Sequence, residues 1–176
     1  NRCGKGMMIF PSDTELLFNS LQLDLISCDA AGLSMKAPVH VGQEHGVFVQ
    51  GENCSDHRNH DVAWFLHKQS ATILNEYGAV DSSNQVDVDT GCIWFSARLI
   101  KELYGLISIN GVFDQASFDK FVNPKVCLNF YADFVFPLAE NSTLEEFYKE
   151  SPENGFSEEL KECRRIIFER LHQFRL

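Results

Sequence analysis

The residue types best suited to chemistry gather in Val86-Asp87-Val88-Asp89-Thr90-Gly91, with His67-Lys68 upstream. Alternation at period two predicts a strand with Asp87 and Asp89 on one face and Val86 and Val88 on the other. Gly91 lacks a side chain, so a ligand or another strand can approach the backbone there, and an apolar run follows. A charged tip on an apolar stem is how sites at strand ends are built. An edge strand whose acidic face meets water has the same pattern. A third carboxylate, Asp13, follows the apolar run from Gly6 to Phe10 and the Pro11-Ser12 break. It is either a metal ligand delivered by a buried strand or a turn residue.

Lys68 closes the apolar run Val62-Ala63-Trp64-Phe65-Leu66-His67, and Ser70 then stands as an N-cap. Ile73, Leu74 and Tyr77 share a helical face, and Gly78 sits where a left-handed C-terminal residue is expected. The order strand, lysine, helix start puts an ammonium beside free backbone N–H groups, which favours an anion such as phosphate. A surface lysine at an ordinary strand–helix turn would read the same.

The elements that position these residues belong to one domain. At 176 residues with 44% hydrophobic content the chain can bury a real core, and fifteen phenylalanines predict a thick, dry one. A net charge of −10, with Arg164-Arg165 as the one adjacent basic pair, argues against a nucleic-acid surface. The six cysteines are scattered without a C-x-x-C, which fits reduced, buried thiols better than a disulfide framework. No apolar run reaches the roughly 20 residues that span a bilayer, and no signal peptide opens the chain, so no membrane and a cytoplasmic location are expected. Apolar residues begin almost at once and the C-terminus stops in an apolar stretch, so both ends read as cut from something longer.

Strands are also expected at Ala30 to Pro38, which carries Lys36, and at Gly46 to Gln50. The polar segment between Gly51 and Asp61 holds Cys54, His57 and His60, but their spacing matches no closed zinc set, and the composition is that of a hairpin tip. Ser96 is expected to cap a helix with Leu99, Ile100 and Leu103 inward, and Asp114 another with Phe118, Phe121 and Val122 on its apolar face. Val126 to Leu138 fits strand or short helix. Thr143 to Lys149 and a longer helix from Ser157 complete the chain, the latter with Leu160, Cys163, Ile167, Leu171 and Phe174 at helical spacing.

Taken in order, Ser12-Asp13, Lys36-Ala37-Pro38, His45-Gly46-Val47-Phe48, Phe65-Leu66-His67-Lys68-Gln69-Ser70, Gly78-Ala79-Val80, Val88-Asp89-Thr90-Gly91 and Tyr131-Ala132-Asp133-Phe134 resemble the GDP-L-fucose pyrophosphorylase family, in particular the pyrophosphorylase domain found joined to L-fucokinase in bifunctional bacterial enzymes. The resemblance covers nearly the whole chain. It implies an α/β fold, a Rossmann-like sugar nucleotidyltransferase with a mixed sheet and flanking helices, and attack of L-fucose 1-phosphate on GTP to give GDP-L-fucose and pyrophosphate. Asp13 and Asp89 match metal-aspartate positions for Mg2+, and Lys68 matches the lysine that meets the sugar phosphate. Gly46, Thr90 and Gly91 would line the sugar, with His45, Tyr131 and Asp133 as further sugar-side residues.

Two departures follow. Ser12 stands where the family usually has glycine, and no Gly-x-Gly or Gly-Gly with a following arginine cradles a triphosphate. The N-terminal nucleotide-binding half is therefore expected to be absent, residues 1–176 being the sugar-phosphate part of a larger domain, with a left-handed β-helix and a kinase domain linked beyond it and little turnover by this chain alone. The competing readings are a non-catalytic binding or regulatory module of the same architecture, and a nucleotidyltransferase for another sugar 1-phosphate.

Overall fold

The structure, a computed structural model, describes residues 4–13, 15–17, 23, 25–26, 28–51, 60–149 and 157–176. Cys3, Cys54 and His57 lie outside them. In chain order the elements are β1 (Gly6–Ile9), β2 (Ala30–Pro38), α1 (Val39–Gly42), β3 (Gly46–Gln50), β4 (Val62–His67), α2 (Ala71–Glu76), β5 (Gln85–Ser96) and α3 (Ala97–Gly105). A small hairpin, β6 (Ser108–Ile109) and β7 (Val112–Phe113), follows, then α4 (Gln115–Phe121). A π-helical turn (Phe130–Val135) runs into a 3-10 turn (Phe136–Leu138), and α5 (Leu144–Lys149) and α6 (Glu158–Leu171) end the chain.

Helix starts follow the capping chemistry. Ser70, Ser96, Asp114 and Ser157 each accept a hydrogen bond from the backbone N–H three residues on, in Ile73, Leu99, Ser117 and Leu160. Gly78 ends α2 with φ +71°. Val122 departs from the expected apolar face of α4 and is exposed, because the helix stops at Phe121.

The sheet is organised on β5, which is not an edge strand. β2 runs antiparallel along its length from Pro38 opposite Gln85 to Ala30 opposite Phe95. The other edge is shared. β3 pairs there at Val88 and Asp87, and β1 pairs at residues 93 to 96. β4 completes the order beyond β3. All ladders among the described residues are antiparallel, in place of the mixed sheet expected, because β4 and β5 run the same way but β3 lies between them.

Each sheet face buries its own cluster. Val47, Val49, Leu66, Val86 and Val88 pack with Val39 and Leu74 of the short helices α1 and α2. Phe48, Phe65, Ile93 and Phe95 pack on the opposite face with Leu99, Val135, Phe147 and the inward stripe of α6, Leu160, Cys163, Ile167 and Leu171. The functional residues belong to this second, aromatic face. Cys92, Cys127 and Cys163 are free thiols. Among the described residues no helix is long and apolar enough to cross a membrane.

Candidate functional site

Between the pairing of β3 at Val88 and that of β1 at Ile93, the shared edge of β5 carries no strand among the described residues. Residues 89 to 92 fill this notch, and β5 bulges within it. Gly32 lies opposite Ile93 and Ser34 opposite Asp89, so Thr90, Gly91 and Cys92 face the single residue Leu33. Gly91 absorbs the distortion at φ +75°, which only glycine adopts without strain. Side chains close the bulge locally: Asp89 Oδ1 accepts from Gly91 N–H at 2.8 Å, and the Thr90 hydroxyl donates to the Leu33 carbonyl at 2.6 Å.

Three elements converge on the notch. β1 ends at Ile9, and Pro11, which has no N–H to continue a ladder, packs over Gly91, where an added Cβ would lie 3.0 Å from Pro11 Cγ. After that break Asp13 is exposed, close enough to Tyr131 for its charge to act on the phenol. From the other side, β3 starts at Gly46 opposite His67, the last residue of β4. Lys68 then takes the left-handed conformation at φ +52° and donates its N–H to His45 at 2.9 Å, leaving its side chain exposed on the rim beside His45.

The π turn supplies the cover. Tyr131 lies across the aromatic face with its ring 5.6 Å from His67 and 6.3 Å from Phe65, at interplanar angles of 18° and 19°. Its hydroxyl lies 3.2 Å from where a Cβ on Gly91 would stand. Burial pushes the Tyr131 phenol up, and the charges of Asp89, Asp13 and Cys92 push it further, so both acids act on one hydroxyl. Burial also raises the Asp89 carboxyl to about 6, opposed by the Gly91 N–H and by His45. His67 is lowered, first by burial and then by the charges of Lys68 and His45, which keeps the imidazole neutral near pH 7.

The donor set fits a hard divalent cation. The carboxylates of Asp13 and Asp89, which both act on the Tyr131 hydroxyl, would leave the remaining coordination to water and phosphate oxygens, as Mg2+ prefers, and a cation would offset the desolvation that raises Asp89. No group of three or more His, Cys, Asp or Glu closes around a metal among the described residues.

Asp13, His45, Gly46, Lys68, Asp89, Thr90, Gly91 and Tyr131 thus lie in or around one notch, but not all face it. The space beside Gly46 is filled by the protein, since a Cβ there would meet the Phe65 ring at 2.7 Å. The Thr90 hydroxyl is spent on Leu33. Asp133 requires correction as a sugar-side residue: it is 0% exposed, in an ion pair with Arg164 Nε at 2.5 Å, and its other oxygen accepts from Asn129 N–H. No sugar reaches it. Asp87 is likewise engaged, with Gln50 at 2.8 Å and Lys36 at 3.2 Å. His67 joins the site without a sugar-side role expected of it, and its signal is its place two residues after Phe65, which gives both rings the same strand face.

No curated protein and no solved structure matches the chain. The model of the fucose pyrophosphorylase domain matches residues 1–176, the full length given, and the chain belongs to that family.

Proposed function

We propose that this chain forms the sugar-phosphate side of a fucose-1-phosphate guanylyltransferase, the finer form of the pyrophosphorylase activity that its family implies. A phosphate oxygen of β-L-fucose 1-phosphate attacks the α-phosphorus of GTP. The P–O bond to the β-phosphate breaks, and pyrophosphate leaves with the bonding electrons. In-line displacement at phosphorus requires alignment and compensation of charge rather than a protein nucleophile.

The observation that carries this reading is that Asp89 and Asp13 both act on the Tyr131 hydroxyl and Lys68 acts on the His67 ring stacked with it, three separate stretches of chain beside a gap in the β5 edge among the described residues. Lys68 holds the sugar phosphate as a mobile point charge on the rim. Its left-handed backbone is the kind of local strain that gathers at functional positions. Tyr131 and the neutral His67 offer a hydroxyl and a ring nitrogen to sugar hydroxyls, and their flat rings pack against the sugar's apolar face. His45 completes the rim. Asp13 and Asp89 would hold Mg2+, which supplies positive charge to phosphate oxygens.

The test is a calorimetric titration of the chain with β-L-fucose 1-phosphate and, separately, GTP, each with Mg2+. Sugar-phosphate binding that disappears in Lys68→Ala, with GTP silent, is the expected result. Undiminished binding in Lys68→Ala, or no sugar-phosphate binding by the unaltered chain, would overturn it. Synthesis of GDP-fucose by the isolated chain would overturn the assignment of only the sugar-phosphate half.

A further inference from the structure

Tyr131 reaches the notch from a turn that is irregular and short, and the ring position depends on what fixes that turn. A π turn closes hydrogen bonds poorly and is marginal without outside support. Asn129 gives the local part: its side-chain oxygen accepts from the N–H groups of Tyr131 and Ala132 at 2.9 and 3.1 Å. Asp133 returns the favour, accepting from Asn129 N–H while donating its own N–H to the Asn129 carbonyl at 2.8 Å. The outside part comes from α6. Arg164, 3% exposed, meets the remaining oxygen of Asp133 and lies 5.2 Å from the centre of the Phe147 ring.

We propose that Asp133 and Arg164 are positioning residues for Tyr131: the buried pair clamps the π turn to α6 and so fixes the Tyr131 ring against His67 and over Gly91. Asp133 stands two residues after Tyr131, so any tilt of the clamped end moves the ring at the other. A buried ion pair is a poor way to gain stability, since apolar replacements of equal volume often do as well, but the approach of Arg164 Nε to Asp133 Oδ1 ties the π turn to one place on α6. Misplacement of a ligand-facing group by about 1 Å costs large factors in function. The consequence for the ligand rests on the sugar-phosphate reading above; the placement of Tyr131 does not.

The experiment compares Arg164→Lys with Ile167→Val in the unliganded and titrated chain. Lysine keeps the charge but loses the planar fork, whereas Ile167→Val removes one buried methylene from the same helix. The first readout is the ring-to-ring NOE between Tyr131 and His67, the Tyr131 resonance being assigned by its loss from the tyrosine signals in Tyr131→Phe; the chain has four tyrosines, so the spectrum is simple. The second is affinity for β-L-fucose 1-phosphate with Mg2+. Arg164→Lys is expected to lose the NOE and weaken binding about tenfold, while Ile167→Val keeps both despite its own drop in Tm. An NOE retained in Arg164→Lys, or lost equally in Ile167→Val, would overturn the proposal. If Arg164→Lys does not fold, Asp133→Asn takes its place, since it keeps an acceptor for Asn129 and removes only the pair's charge. If the NOE behaves as expected and no chain binds sugar phosphate, the positioning role stands and the substrate assignment falls.

Discussion

Asp89 and Asp133 are both buried carboxylates on the aromatic side of the sheet, yet the fold treats them in opposite ways. Asp133 has an arginine on one oxygen and a backbone N–H on the other. Asp89 has the Gly91 N–H on one oxygen, and among the described residues no cation lies within ion-pair distance of it. Burial pushes both carboxyls up, but at Asp133 the Asn129 N–H and Arg164 both oppose the rise from close range. A structural carboxylate is compensated by the protein itself. One that has a backbone N–H but no ion-pair partner among the described residues, with a second acid acting on the same tyrosine, is arranged for something that binds.

The sharpest way to break this comparison is to remove the compensation at Asp133. Arg164→Ala leaves a charge at 0% exposure without its guanidinium, and the expected loss is about 3 to 5 kcal/mol in urea or thermal unfolding. A loss under about 1 kcal/mol would mean that Asp133 has another partner or takes up a proton at no cost, and the contrast with Asp89 would collapse.

Asp89 should behave with the opposite sign. Its folded value of about 6 lies above the ordinary carboxylate value, so below about pH 4 the group is protonated in both states and contributes nothing. Between about pH 4 and 6 the unfolded chain ionises first and stability falls. Above pH 6 the full penalty, roughly 2 to 3 kcal/mol, is present. Asp89→Asn is therefore expected to raise Tm at pH 8 and leave it unchanged at pH 4. At pH 8, Mg2+ should raise the Tm of the unaltered chain and not that of Asp89→Asn. A destabilised Asp89→Asn at pH 8 would make this carboxylate structural, like Asp133.

The same pair of acids marks what was legible in the sequence. Local rules held where a local hydrogen bond decides the outcome: the caps at Ser70, Ser96, Asp114 and Ser157, the left-handed Gly78 and the inward stripe of α6. The alternation at Val86 to Asp89 placed two acids on one face correctly, but whether that face met water depended on β1, β3 and the π turn, which come from distant sequence. The bulge at residues 90 to 92 was invisible because its partner, Leu33, lies far upstream. Val126 to Leu138 fitted either strand or helix, since Asn129 imposes a π turn that belongs to neither period. On its motif alone Asp133 therefore reads as sugar-facing. The Asn110-Gly111 turn of the β6–β7 hairpin, with φ of +52° and +76°, carries the Asn-Gly signature of a two-residue hairpin turn.

A smaller effect is expected at the bulge that holds Asp89 in place. Gly91→Ala puts a Cβ at φ +75° and 3.0 Å from Pro11, at a cost of about 1 to 2 kcal/mol. The added methyl also lies 3.2 Å from the Tyr131 hydroxyl, so sugar-phosphate affinity should fall along with Tm. Loss of stability with unchanged affinity would place the ligand elsewhere than the notch.

The smallest effect on stability is expected at Lys68. Its side chain is exposed on the rim and its backbone N–H, not its ammonium, makes the bond to His45, so Lys68→Ala should change unfolding free energy by no more than about 0.5 kcal/mol. Lys68→Gly is the more telling variant, because glycine relieves the left-handed strain at φ +52° while adding chain entropy to the unfolded state, two terms of about 1 kcal/mol that oppose each other. Neither substitution should shift Tm far, and both should abolish sugar-phosphate binding. If Lys68→Gly keeps that affinity, neither the ammonium nor the strain at residue 68 is what the site requires, and the charge that answers the phosphate must come from the cation held at Asp13 and Asp89.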